Sequence, residues 1–295
     1  MHRIARIAIA ALASVGMLAS VAACGSGQST SKKNGTIEVA ASVNQWGTVA
    51  KALGGDNVNV TSIINSTNVD AHDYEPTTSD IAKLQKAQVI IVNGAGYDAW
   101  AVKAAQTANA IIVNAAEIGG VNDGENPHVW FSADVRKAVA QAITEAYEQA
   151  DAAKKNDFDK MNDQWAAEEN NVESKIAEVK QKTDGLAYAA TESVASYLAE
   201  DMGLADATPS GYARATANES EPTPTDIKQF TDALKAGEIK LLVVNTQEES
   251  ELTGKITDAA KSVEVPMVEL TEQMPEQYDS LTDWMAALVD AFSQA

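Results

Sequence analysis

TIEVAASVNQWGTVAKALGGDNVNVTSII, residues 36–64, decides the fold class. Residues 36–43 read as a strand and residues 45–53 as a helix stopped by Gly54-Gly55, and residues 58–64 read as a second strand. Outward from this unit the pattern repeats. Ser79 is expected to cap a helix over 80–86, residues 89–92 form a short buried strand ending at Asn93-Gly94, and residues 99–107 are helical before a strand over 111–113. Strands that alternate with helices in this way predict a parallel sheet covered on both faces.

Farther along, residues 132–150 read as a capped amphipathic helix, followed by a highly charged one over 156–182. In the second helix Phe158, Met161, Trp165, Val172, Ile176 and Val179 recur at helical spacing, giving one narrow apolar stripe on a solvated rod. Such a rod suits an interlobe backbone. A coiled-coil dimer competes, but Trp165 and Met161 stand where a Leu/Ile seam is needed. The strand-helix pattern then resumes, with strands over 186–190, 241–244 and 267–270 and helices over 193–202, 226–235, 253–261 and 280–292. The expected fold is therefore α/β with two lobes, 36–153 and 183–295, joined by a linking helix over 154–182. The ligand site is expected in the cleft between them, beyond the carboxyl ends of the strands.

The first 24 residues set the compartment. Met1 to Arg6 is basic, residues 7–18 are an apolar run too short to span a bilayer comfortably, and Val21-Ala22-Ala23-Cys24 follows at once. That ending resembles a bacterial lipobox, so residues 1–23 are expected to be removed and Cys24 lipidated. Cys24 is the one cysteine, which excludes an intrachain disulfide. Residues 24–35, small and polar, read as a flexible tether. The formal charge of −20, from 42 acidic against 22 basic residues, argues against a nucleic-acid partner and modestly favours a cationic ligand.

With His2 removed in the signal segment, two histidines remain, His72 in Asp70-Ala71-His72-Asp73-Tyr74-Glu75-Pro76 and His128 in Asn126-Pro127-His128-Val129-Trp130. Both fall in loops between predicted elements, and imidazole is the commonest transition-metal ligand. Asp73 and Glu117 are candidates to hold the two rings by hydrogen bond.

The strings DAHDYEPTTSDIAKLQKAQVIIVNGAGYDAW and NPHVWFSADVRKAVAQAI resemble the two histidine-bearing segments of the zinc- and manganese-binding lipoproteins of ABC transporters, the cluster A-I solute-binding proteins. The likeness runs from about residue 36 to the C-terminus. It implies two further ligands from the second lobe. Glu192, in Thr191-Glu192-Ser193, matches the position that is His in many zinc binders and Glu in several manganese binders, and Glu249, after the strand over 241–244, matches the family's acidic ligand. Asn245 stands where a Glu is common, and the crowded acidic loop leaves Glu248, Glu251 and Glu272 as alternatives to Glu249.

The implied function is capture of one divalent transition metal ion, zinc or manganese, and its delivery to a membrane permease with a separate ATPase. No organic cofactor is expected, and the protein is expected to act as a monomer tethered by lipid. Two nitrogen and two carboxylate donors suit zinc, manganese or ferrous iron and not copper(I). A secreted zinc metallohydrolase is the alternative, weakened by the absence of H-E-x-x-H and of a spare histidine for a nucleophile. Surface adhesion, attributed to some relatives, has no sequence feature in its support.

Overall fold

Alternation along each strand sorts its side chains onto two faces, and that sorting builds the molecule. The computed structural model describes residues 35–69, 71 and 73–295. The signal segment, most of the tether and Cys24 lie outside the described residues. In β1 (Ile37–Val43), Ile37, Val39, Ala41 and Val43 enter the main core while Ala40 faces a smaller one. After α1 (Asn44–Gly54) and β2 (Val58–Ile64) come α2 (Thr78–Lys86) and β3 (Val89–Val92), where Val89 and Ile91 point to the main core and Ile90 and Val92 away. The first lobe is completed by α3 (Ala99–Ala105), β4 (Ile111–Asn114), α4 (Ala115–Gly119) and α5 (Ala133–Ala150). Its sheet is parallel throughout, in the order β2-β1-β3-β4.

The second lobe repeats the plan. It follows α6 (Lys155–Thr183) with β5 (Ala187–Ala190), α7 (Ser196–Asp201), β6 (Ala205–Asp206), α8 (Ser210–Ala217), α9 (Pro224–Lys235), β7 (Leu241–Asn245), α10 (Glu251–Ser262), β8 (Met267–Leu270) and α11 (Leu281–Gln294). Its parallel sheet runs β6-β5-β7-β8. In β7, Leu241 and Val243 face the main core and Leu242 and Val244 the outer one. The expected two-lobe α/β architecture is the observed one.

Helix α6 spans 29 residues, about 43 Å at 1.5 Å per residue. It packs on α1 and α5 of the first lobe and on α7 and α11 of the second. Phe158, Trp165, Val172, Ile176 and Val179 are buried as the stripe predicts, while Met161 is half-buried. The stripe also contains Glu169, fully buried and paired with Arg136 of α5. Arg136 Nη2 stands 2.5 Å and Nε 3.0 Å from Glu169 Oε1, and Nη1 donates to the carbonyl of Trp130. This buried pair therefore links the long helix to the segment that carries His128.

One hydrophobic core runs from Ile37 to Phe292 through both lobes. Phe131 of the first lobe meets Trp284 of α11 edge-on, ring centroids 5.5 Å apart. Several boundaries differ from expectation. The cap of α2 is Thr77, not Ser79: the Thr77 hydroxyl accepts from Asp80 N–H, and the Asp80 carboxylate accepts from Thr77 N–H. The expected helix over 193–202 is split into a 3-10 turn, Ser193–Ala195, and α7.

Candidate metal centre

Parallel strands bring all their carboxyl ends to one side, and the strand order reverses between β1 and β3 and between β5 and β7. Loops splay apart at such switch points and leave a crevice. Glu192 follows the end of β5 and Glu272 the end of β8, while His128 lies between α4 and α5 in the first lobe. One donor atom from each of His128, Glu192 and Glu272 lies within 4.8 Å of the other two. The group thus draws on both lobes.

His128 Nε2 stands 3.5 Å from Glu272 Oε1, with both side chains almost wholly buried. Two donors each about 2.0–2.2 Å from one tetrahedral ion stand roughly 3.4 Å apart. The observed separation matches that requirement. The other ring nitrogen, Nδ1, lies 2.7 Å from Asn126 Oδ1. Because Asn126 Nδ2 donates to the Ser193 carbonyl at 2.8 Å, its Oδ1 is the acceptor, so Nδ1 donates to it and Nε2 is the ring nitrogen turned towards Glu272. Tyr97 and Trp130 set their rings edge-on around the imidazole, centroids 6.0 and 5.4 Å away.

The carboxylates are held as firmly. Glu192 Oε2 accepts from Asn245 Nδ2 at 2.6 Å. The backbone carbonyl of Glu272 accepts from Gln45 Nε2, and that of Met274 from Asn44 Nδ2, both side chains coming from the first lobe. Burial first, then the charge of Glu272 and a hydrogen bond to it, push the Tyr97 phenol well above its usual range. It therefore stays protonated, donating to Glu272 while its oxygen accepts from Gln273 Nε2 at 2.6 Å.

Of the residues expected from the sequence, the structure brings together His128, Glu192 and Glu272. Glu249 is exposed and outside this group, as are Glu248 and Glu251, although the latter two line the cleft. The reason is local. The inward position at the end of β7 is taken by buried Asn245, and the chain then turns outward through residues 246–249, so the acid that reaches the centre comes from the neighbouring strand β8. The available signal was the isolated acid in Thr271-Glu272-Gln273-Met274, directly after a strand. His72 lies outside the described residues, but its neighbour Ala71 is buried and Asp73 lines the cleft. Glu117 is exposed on a separate groove beside Ile112 and Ile118, and the partner of His128 is Asn126, which sequence reading did not single out.

The cleft over the centre has a volume of about 920 Å³. Asp73, Glu125, Glu219, Glu221, Glu248 and Glu251 line it against Lys255, so its mouth attracts cations.

Three kinds of likeness bear on the centre. The model of the family described as zinc-uptake complex component A, periplasmic, matches residues 39–295. The manganese ABC transporter substrate-binding lipoprotein PsaA of Streptococcus pneumoniae is 24% identical over 253 residues, covering 79% of this chain and 79% of that protein. The iron ABC transporter substrate-binding lipoprotein MtsA of Streptococcus pyogenes serotype M1 is 26% identical over 236 residues, 72% of this chain and 73% of that protein. In fold, the periplasmic zinc-binding protein TroA of Treponema pallidum superposes with a TM-score of 0.74 at 14% identity, covering 88% of this chain and 99% of that one.

Proposed function

This chain belongs to the zinc-uptake complex component A family, and from that premise we infer that it is an extracytoplasmic lipoprotein that captures one divalent transition metal ion and delivers it to an ABC importer. The observation that carries the reading is the convergence of His128, Glu192 and Glu272 from both lobes, their donor atoms within 4.8 Å of one another. His72, from the loop whose Asp73 lines the same cleft, supplies the fourth donor. Two imidazoles and two carboxylates hold a +2 ion with no net charge left on the set, which suits a buried location. Four protein ligands leave no position for a reacting water, as carriage requires and hydrolysis does not. The family is one of transport solute-binding proteins, so the metallohydrolase alternative is set aside.

Delivery follows from the same parts. The ion is the cargo, the lipid on Cys24 keeps the carrier at the membrane, and a permease with its ATPase receives the ion. Relatives are named for manganese and for iron, and the family for zinc. The donor set accepts each of these ions. Native mass spectrometry with elemental analysis, on protein purified without added metal and then titrated with zinc and manganese, tests the reading. One ion per chain is expected, lost in His128→Ala and in His72→Ala. Unchanged binding in both variants would end it.

A further inference from the structure

We propose that the open edge of the first lobe's sheet, along β4, is a docking site for an extended segment of another protein that carries apolar and basic side chains in alternation. This surface lies outside the metal centre and does not depend on its reading.

The sheet order β2-β1-β3-β4 leaves the outer side of β4 without a neighbouring strand among the described residues. Ile111 N–H donates at 2.9 Å to the carbonyl of Gln88, just before β3, and Ile112 stands opposite Ile90. Successive residues of a parallel strand bond to opposite sides, so the N–H and C=O of Ile112 point out of the sheet edge. Backbone groups at such an edge are a template for a further strand. Beside them runs a groove of about 590 Å³, walled by Val102 and Gln106 of α3 and by Ala142 and Ala146 of α5. These two helices cover opposite faces of the sheet, α3 packing on Ile90 and Val92 and α5 on Val89 and Ile91. The groove is therefore the place a fifth strand would occupy.

The side chains around it define the occupant. Among the described residues three large apolar side chains are exposed, and two of them, Ile112 at 44% and Ile118 at 37%, line this groove. An incoming segment must bring apolar side chains to cover them. The charged residues of the lining are Glu117 and Glu145, both exposed, with no Lys or Arg among the described residues there. Basic side chains on the partner complement them. A second copy of this chain would instead set the same acids, and a formal charge of −20, against their like. The tether brings Lys32 and Lys33, but residues 25–35 contain no apolar side chain to fill the groove. Because β4 is four residues long, backbone pairing alone is weak, and the apolar walls and the two carboxylates select the partner.

The test titrates a short peptide of alternating valine and lysine, and its counterpart with glutamate for lysine, into the full chain in detergent by fluorescence anisotropy. Hydrogen exchange at the Ile112 amide locates the binding. The lysine peptide should bind and slow that exchange, and the glutamate peptide should do neither. Ile112→Pro removes an N–H that the sheet does not use, a change an edge strand tolerates, and should abolish binding. Glu117→Gln combined with Glu145→Lys should weaken it about tenfold. Unchanged affinity in either folded variant, equal binding of the glutamate peptide, or exchange at Ile112 that the lysine peptide leaves as it was would overturn the proposal. A dimer in sedimentation that Ile112→Pro dissolves would assign the edge to a second copy, and exchange at Ile112 that quickens on deletion of residues 25–35 would assign it to the tether; each overturns the proposal too. Should Ile112→Pro fail to fold, the glutamate substitutions decide, since both positions are exposed.

Discussion

Replacing Glu272 by Gln should move the stability of the protein in opposite directions with and without metal. In the metal-loaded protein the substitution removes a charged donor whose Oε1 stands 3.5 Å from His128 Nε2. Structural zinc sites contribute about 10–16 kcal/mol, which over four donors is about 2.5–4 kcal/mol each. That is a weakening of roughly 10²- to 10³-fold in Kd. Stabilisation by a saturating ligand follows RT ln(1 + [L]/Kd), so the same increment disappears from the melting of the loaded protein. In the metal-free protein Glu272 is 2% exposed and shares its site with Glu192. Two carboxylates held together out of water repel one another and are poorly solvated, so neutralising one stabilises the fold. Calorimetry with and without zinc should therefore show the two melting temperatures approaching each other from both sides. Glu249→Ala, at an exposed position outside the cluster, should leave both where they are. A full metal-dependent shift in Glu272→Gln, or its loss in Glu249→Ala, would refute the assignment.

Arg136→Met strands the buried Glu169 carboxylate and should cost about 3–5 kcal/mol in urea unfolding, most of it restored in the double variant with Glu169→Leu. Asn126→Asp keeps the acceptor for His128 but cannot donate to the Ser193 carbonyl, so metal should dissociate faster, as stopped-flow chelation will show. Burial works against the Asp80 carboxylate, but hydrogen bonds from Thr77, Tyr74 and Lys83 outweigh it and hold the group well below the usual carboxylate range. Its stabilising contribution is present above about pH 4 and lost as the pH falls below that; acid-titrated melts of Asp80→Asn should lack this part of the decline. The acidic lining of the cleft predicts that the rate of ion capture falls as salt rises from 0.01 to about 0.15 M, where the screening length shrinks from about 30 to 8 Å; a salt-independent rate would contradict it.

What the sequence made legible was whatever repeats. Strand and helix periodicity located nearly every long element, and the apolar stripe located α6 to within a residue or so at either end. The two-residue strand Ala205–Asp206, exposed along its length, carries no pattern to read. Helix α8 has Tyr212 as its one buried residue and no apolar stripe to announce it. Glu169, at a position of the apolar stripe, is not announced by the sequence because the charge that neutralises it, Arg136, is far away in the chain and adjacent only after folding. The candidate centre divides along the same line. His128 lies in a quoted motif and Glu192 was implied by the resemblance, but that Glu272 lies beside them and Glu249 does not is visible only once β8 is placed next to β7, with Asn245 in the inward place.

The core shared by the two lobes also limits the mechanics of release. A wide opening would part Phe131 from Trp284. Each such aromatic buries about 150–250 Å², so exposing the pair would cost about 7–12 kcal/mol at 25 cal/mol per Å². That is comparable to the stability of a whole domain. Across the cleft the loops are fastened by hydrogen bonds such as Gln247 to Thr67, Asn126 to Ser193 and Tyr197 to Asn126. Release of an ion therefore needs only hydrogen bonds of this kind to break, while the shared core stays packed.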